Sequence, residues 1–154
     1  MNNRRTTREM EPNRSKSKPQ LGRVLLIDDD STSNFLSAFA LRRTNATAQI
    51  VEAEDGREAL ELVAKESFNF ILLDVNMPNM NGYEFLEALK QMGESTGFTP
   101  PVIVLLTTSE NYLDCDRVTQ NPMVKGLLTK PLTNDHIVYL TSLAQSDSKP
   151  TQPV

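Results

Sequence analysis

The sequence predicts an α/β fold, a doubly wound five-stranded parallel sheet flanked by five helices. Two observations predict it. Short apolar runs alternate strictly with segments of helical spacing between about residues 21 and 145. The runs are continuously apolar rather than alternating apolar with polar, which indicates strands buried on both faces. Right-handed crossovers then carry helices to both sides of a parallel sheet.

The elements follow in order. "RVLLI" (23–27) is a short buried strand. "STSNFLSAFALRR" (31–43) carries Phe35, Leu36, Phe39 and Ala40 at helical spacing, with Ser31 or Asp30 as its N-cap. "AQIVEA" (48–53) is the second strand, and "DGREALELVAKE" (55–66) is a helix with Ala59, Leu60 and Val63 on one face. "FNFILLD" (68–74) is the third strand, followed by "GYEFLEALKQM" (82–92), a helix that Gly93 is expected to stop. "PVIVLL" (101–106) is a strand, "ENYLDCDRVT" (110–119) a weaker helix and "VKGLLT" (124–129) the last strand. "TNDHIVYLTSLAQ" (133–145) is the final helix.

Outside this unit, residues 1–20 and 146–154 lack periodicity and are expected to be disordered tails. The net charge of −4 is uneven. Six cations in residues 1–20 (Arg4, Arg5, Arg8, Arg14, Lys16, Lys18) against Glu9 and Glu11 leave +4 there and −8 on the rest. An acidic body argues against general nucleic-acid binding, so no DNA partner is expected. No apolar run approaches the ~20 residues needed to span a bilayer. The basic N-terminus has no apolar segment behind it and is not a secretory signal. Cys115, the single cysteine, cannot form an intramolecular disulfide, and a reducing cytoplasm is the expected location.

In doubly wound sheets the working residues lie outside the carboxyl ends of the strands. Here those ends are polar in a concerted way. Asp28, Asp29 and Asp30 follow the first strand; the third ends in Asp74, with Asn76 two residues on. Thr107, Thr108 and Ser109 follow the fourth, and Lys130 and Pro131 the fifth. With strand order 2-1-3-4-5 these ends are neighbours and converge on one crevice. Clustered carboxylates stay ionised together only with a cation to neutralise them. Mg²⁺ prefers oxygen ligands and needs one or two carboxylates, a role suited to Asp28 and Asp29. Asp74 is placed to act as a nucleophile toward phosphorus, with the Lys130 ammonium and the Thr107 hydroxyl available to phosphoryl oxygens. Taken singly each feature is bland: an aspartate run is usually a solvated cap, a strand threonine is common, and most lysines are at the surface. The joint occurrence at four strand ends is what carries the reading.

These residues resemble response-regulator receiver domains, the phosphoacceptor half of two-component signalling. The resemblance covers essentially all of 21–145 and rests on "LLIDDD", "FILLDVNMPNMNGYEFLEAL", "VIVLLTTS" and "KGLLTKPL". It implies a flavodoxin-like fold, with Asp74 accepting a phosphoryl group from a sensor histidine kinase or a histidine phosphotransfer protein. Asp28 and Asp29 would bind Mg²⁺, with Asp74 and the backbone carbonyl of Asn76 completing the protein ligands. Thr107 would shift toward the phosphoryl group and remodel the surface around the helix over 110–119. Lys130 would pair with Asp74 and then with the phosphate, and its peptide bond to Pro131 is often cis in the family. Two departures stand out. Leu127 occupies a position that usually holds an aromatic residue coupled to the threonine shift. The connection "QMGESTGFTPP" (91–101) is long. Asn76 and Ser109 stand where the family tunes hydrolysis of the acyl phosphate, and neither is bulky or charged. Asp30 is read as a helix-terminus charge. Met77 and Met80 are expected to pack over the site; His136 and Cys115 are expected to be ordinary helix residues.

With no room for a folded unit after 145, a stand-alone receiver is expected, acting through an unidentified protein target or within a phosphorelay; its oligomeric state is open. Two rival readings remain. "DDDST" (28–32) also fits D-x-D-x-T, the nucleophile motif of haloacid-dehalogenase-like phosphatases. That reading leaves Asp74 and "MPNMNG" unexplained and lacks a further acidic pair after Lys130. The other rival is a receiver-like interaction module that is never phosphorylated.

Overall fold

In the computed structural model the described residues are 21–77, 80–97, 101–108 and 120–147. They form β1 (Gly22–Ile27), α1 (Ser31–Arg43), β2 (Thr47–Ala53), α2 (Gly56–Lys65), β3 (Phe70–Asp74), α3 (Gly82–Thr96), β4 (Val102–Thr107), β5 (Val124–Thr129) and α4 (Asn134–Asp147). The strands make one parallel sheet in the order β2-β1-β3-β4-β5. The expected fold class and strand order are therefore observed. Four helices are present among the described residues; the fifth expected one, over 110–119, lies outside them, as do Ser109, Cys115 and residues 1–20.

The strand pleat sends alternate residues to opposite faces, and each face has its own core. Leu25, Ile27, Ile71, Leu73, Ile103 and Leu105 pack with Ala59 and Val63 of α2 and with Phe85, Leu86 and Leu89 of α3. Val24, Leu26, Phe70, Leu72, Val104 and Leu106 pack with Ala38 and Leu41 of α1 and with Ile137 and Leu140 of α4. The three central strands β1, β3 and β4 thus supply apolar side chains to both sides, which is why their sequences run unbroken.

Two helix ends differ from the sequence expectation. Helix α3 runs through Gly93 and ends three residues later, where Gly97 takes a left-handed conformation (φ 73°) and its N–H bonds the Gly93 carbonyl. A glycine inside a helix costs only about 1 kcal/mol, whereas one at the C-terminal cap relieves a steric penalty that other residues would meet. Helix α4 extends to Asp147, two residues into the expected tail. Helix α1 spans the expected residues, and the structure decides its buried face. Its buried residues are Asn34, Ser37, Ala38, Ala40 and Leu41, while Phe35, Leu36 and Phe39 stay 60%, 49% and 53% exposed. Small and polar residues let this helix lie close to the sheet, and Asn34 uses its buried amide to tie it there.

Candidate functional site: an acidic crevice at the carboxyl ends of the strands

The turn from β1 to α1 is built around two aspartates with different tasks. Asp28 is buried; its Oδ1 accepts from the Asp30 N–H (3.0 Å), and its own N–H bonds the Ala53 carbonyl of β2 (3.1 Å). Asp30 is exposed and caps α1, its Oδ1 accepting from the Thr32 N–H (3.0 Å). It takes the bland role, and the N-cap is Asp30 rather than Ser31. The buried Asn34 side chain donates to the carbonyls of Asp28 (3.1 Å) and Ala53 (3.2 Å), fastening the first turn of α1 to the ends of β1 and β2. Asp29 lies between, exposed to solvent at the crevice mouth.

Asp74 is the last residue of β3 and is buried, level with Leu106 of β4. Thr107, one residue further along β4, is 1% exposed, and its hydroxyl donates to the Thr108 carbonyl (3.2 Å). The Lys130 N–H bonds the Thr107 carbonyl (2.8 Å), which carries the chain past the end of β5 and into the crevice. The Lys130–Pro131 peptide is cis. The Lys130 ammonium reaches Asp28 Oδ2 (2.8 Å), Ser33 Oγ (3.1 Å) and Asp74 Oδ1 (3.4 Å).

Carboxylate oxygens of Asp28, Asp29 and Asp74 all lie within 4.8 Å of one another. One ammonium stands against three carboxyls, and the imbalance is visible in Asp74. Its pKa is raised from 3.8 to about 6, first by burial and next by the negative charge of Asp28, with Lys130 pulling the other way and Asp29 adding to the rise. Lys130 is raised above its ordinary value: burial alone would lower it, but its hydrogen bonds and charge interactions with Asp28 and Asp74 outweigh that. A site with surplus negative charge, built only of oxygen donors and partly open to water, fits a hard divalent cation such as Mg²⁺.

Of the residues expected at the site, Asp28, Asp29, Asp74 and Lys130 are brought together directly. Thr107 lies buried at the adjoining strand end. Asn76 and Pro131 lie just beyond Asp74 and Lys130 with exposed side chains. Leu127 is half-buried against the core on the α2–α3 side. Met77 is buried in that same core. Met80 packs half-buried against the same core and lies on the start of α2, where a Cβ at Gly56 would come within 2.6 Å of its sulfur. Glycine at 56 leaves the room that the Met80 side chain occupies there. His136 joins Thr133 in a reciprocal cap at the start of α4, its Nδ1 accepting from the Thr133 N–H (3.1 Å) and its own N–H donating to Thr133 Oγ1 (3.2 Å). Sequence reasoning missed Ser33 and Asn34. The available signal was a run of small and polar residues on one side of a helix whose aromatic residues lie on another.

The model of the response regulator receiver domain family matches residues 24–141. Among curated proteins, the chain is 32% identical over 111 residues to the chemotaxis protein CheY of Pseudomonas aeruginosa, covering 72% of this chain and 86% of that one. It is 28% identical over 135 residues to the sensor histidine kinase GacS of Pseudomonas protegens, 84% of this chain but 14% of the kinase. The matched region also spans only 35% of the sensory transduction protein LytT of Bacillus subtilis. Among solved structures, a two component response regulator from Cytophaga hutchinsonii superposes with a TM-score of 0.72 at 29% identity, over 82% of this chain and 98% of that one.

Proposed function

Because the chain belongs to the response regulator receiver domain family, we propose that it is a signalling phosphoacceptor whose residues 21–145 receive a phosphoryl group on Asp74 in an Mg²⁺-dependent transfer from a phosphohistidine. The observation that carries this reading is the Asp74 carboxyl itself. It is buried at a strand end, faced by Asp28, Asp29 and Lys130, and ionises only near pH 6, so it is mostly anionic at neutral pH yet poorly solvated. A poorly solvated carboxylate is a good nucleophile toward phosphorus.

The step balances simply. An Asp74 carboxylate oxygen forms a bond to phosphorus, the P–N bond to the donor imidazole breaks, and its electron pair leaves with the imidazole nitrogen. Asp28 and Asp29, with the carbonyl of Asn76, would hold Mg²⁺, which when bound neutralises charge on the transferred oxygens. Lys130 gives up its contact with Asp74 Oδ1 and donates to a phosphoryl oxygen. Thr107 would turn its hydroxyl from the Thr108 carbonyl to another. The protein's own chemistry would be limited to taking the group and losing it to water; the work is signalling, not turnover of a substrate.

The donor would be a sensor histidine kinase or a histidine phosphotransfer protein, with output through a further protein. Helix α1 supports a protein donor. Ser33 in its first turn touches Lys130, and Phe35, Leu36 and Phe39 stand exposed on the same helix, with the Phe35 and Phe39 rings stacked at 6.5 Å. Six residues of helix separate Ser33 from Phe39, about 9 Å. A donor that reaches Asp74 would cover this apolar patch. Among the described residues no helix is long and apolar enough to cross a membrane, and a cytoplasmic setting fits the proposed partners.

The test is phosphorylation of the full chain by phosphoramidate with Mg²⁺, followed by mapping of the label. Label on Asp74, abolished by Asp74→Asn or EDTA, is expected. Label on Asp28 would favour the phosphatase-like alternative, and no label at all would favour an interaction module that takes no phosphate.

A further inference from the structure

A lysine ammonium has three N–H donors and no acceptor. In this protein Lys130 spends them on three oxygens: Asp28 Oδ2 at 2.8 Å, Ser33 Oγ at 3.1 Å and Asp74 Oδ1 at 3.4 Å. Two of these acceptors are carboxylates of the acidic cluster. Under the phosphoacceptor reading, on which this inference rests, both change during the reaction. Asp74 loses its charge on becoming an acyl phosphate, and Asp28 shares its oxygens with the cation. The remaining acceptor does not change. Ser33 is neutral, belongs to no step of the transfer, and stands on the first turn of a helix clamped by the Asp30 cap and by Asn34.

Lysine carries its charge on a flexible four-carbon stem and, unlike arginine, has no fixed fork to orient it. An ammonium held only by groups that are changing would be free to swing out toward solvent. We propose that Ser33 is a positioning residue for the transfer: its hydroxyl anchors Lys130 Nζ between Asp28 and Asp74, so the ammonium stays directed at the incoming phosphoryl oxygen while both carboxylate contacts are exchanged. Serines in the first turn of a helix commonly bond nearby backbone. Here the hydroxyl meets a side chain 97 positions away, at the end of a different strand.

The test compares full-length wild type, Ser33→Ala and Ser33→Thr. The first readout is the NMR signal of the Lys130 ammonium in Mg²⁺-free protein at low temperature. It is expected to be resolved and protected from exchange in wild type and Ser33→Thr, and lost or shifted in Ser33→Ala. The second is the rate of phosphorylation at saturating phosphoramidate and Mg²⁺. Loss of one hydrogen bond to a charged group should slow it about tenfold or more in Ser33→Ala, and the threonine hydroxyl should restore it to within about twofold. The unfolding midpoint and the Mg²⁺ concentration for half-maximal rate should stay as in wild type. An alanine variant with an unchanged ammonium signal and rate overturns the proposal, as does a folded threonine variant as slow as alanine. Failure of wild type to take phosphate would sink the phosphoacceptor reading instead, and the ammonium signals would still decide whether Ser33 holds Lys130.

Discussion

Replacing Asp74 by asparagine should remove the proposed phosphoacceptor and at the same time stabilise the fold. The carboxyl is buried beside Asp28, and these two causes raise its pKa from 3.8 to about 6. For a fully shielded group that difference corresponds to about 3 kcal/mol disfavouring the ionised form. Water reaching the open crevice screens part of it, so ~1–2 kcal/mol is the expected gain on substitution. Asparagine keeps an oxygen for Lys130, whose contacts to Asp28 and Ser33 remain. The pH dependence follows from the sign of the shift. The folded-state value lies above the unfolded one, so the native carboxyl contributes stability only while protonated. That contribution is complete below about pH 3.8 and is lost as the pH rises through about 6. The variant cannot ionise there. It should match wild type near pH 4 and overtake it by pH 7.5, with a midpoint about 3–6 °C higher. Thermal unfolding in EDTA at both pH values measures this. A variant no more stable than wild type at pH 7.5, or one with the same advantage at pH 4, would refute the claim that burial and Asp28 strain this carboxyl.

Two further predictions concern neighbouring elements. Asp29→Ala should abolish Mg²⁺ binding, followed by NMR titration, and phosphorylation with it. Asp30→Ala should leave both largely intact while costing about 1 kcal/mol of stability through loss of the α1 cap; the opposite pattern would reverse the assignment of these two aspartates. Phe39→Ala on the exposed face of α1 should change stability by less than about 1 kcal/mol. Transfer from a phosphohistidine protein should fall tenfold or more relative to transfer from phosphoramidate, and an unchanged ratio would place the donor's footprint elsewhere.

Much of the fold is legible in the amino-acid sequence. Short unbroken apolar runs such as "FILL" and "VIVLL", too brief for helices, point to strands covered on both sides, and that condition leads to a parallel sheet with helices on each face. The polar residues closing those runs marked the crevice, because a sheet of this order brings the ends of β1, β3, β4 and β5 side by side. Helix α1 shows where this legibility stops. Its periodicity disclosed a helix but not its face, since packing against β1 and β2 favoured the close approach of Ala38 and Asn34 over the larger apolar area of Phe35 and Phe39. The end of α3 is similar: Gly93 and Gly97 are equivalent as letters, and only the backbone conformation at 97 makes one of them the stop.

The sequence by itself therefore indicated the layer architecture and picked out Asp28, Asp29, Asp74, Thr107 and Lys130 as a set, because hydrophobic periodicity and strand-end polarity are one-dimensional signals, while the strand order came from the structure. The tertiary structure alone decided that Lys130 bonds Asp28 more closely than Asp74 and shares its third donor with Ser33, and that burial and Asp28 raise the Asp74 pKa to about 6. Those outcomes depend on distances of a few tenths of an ångström and on how much water each charge has lost, and both arise only when residues from four strand ends meet in one crevice.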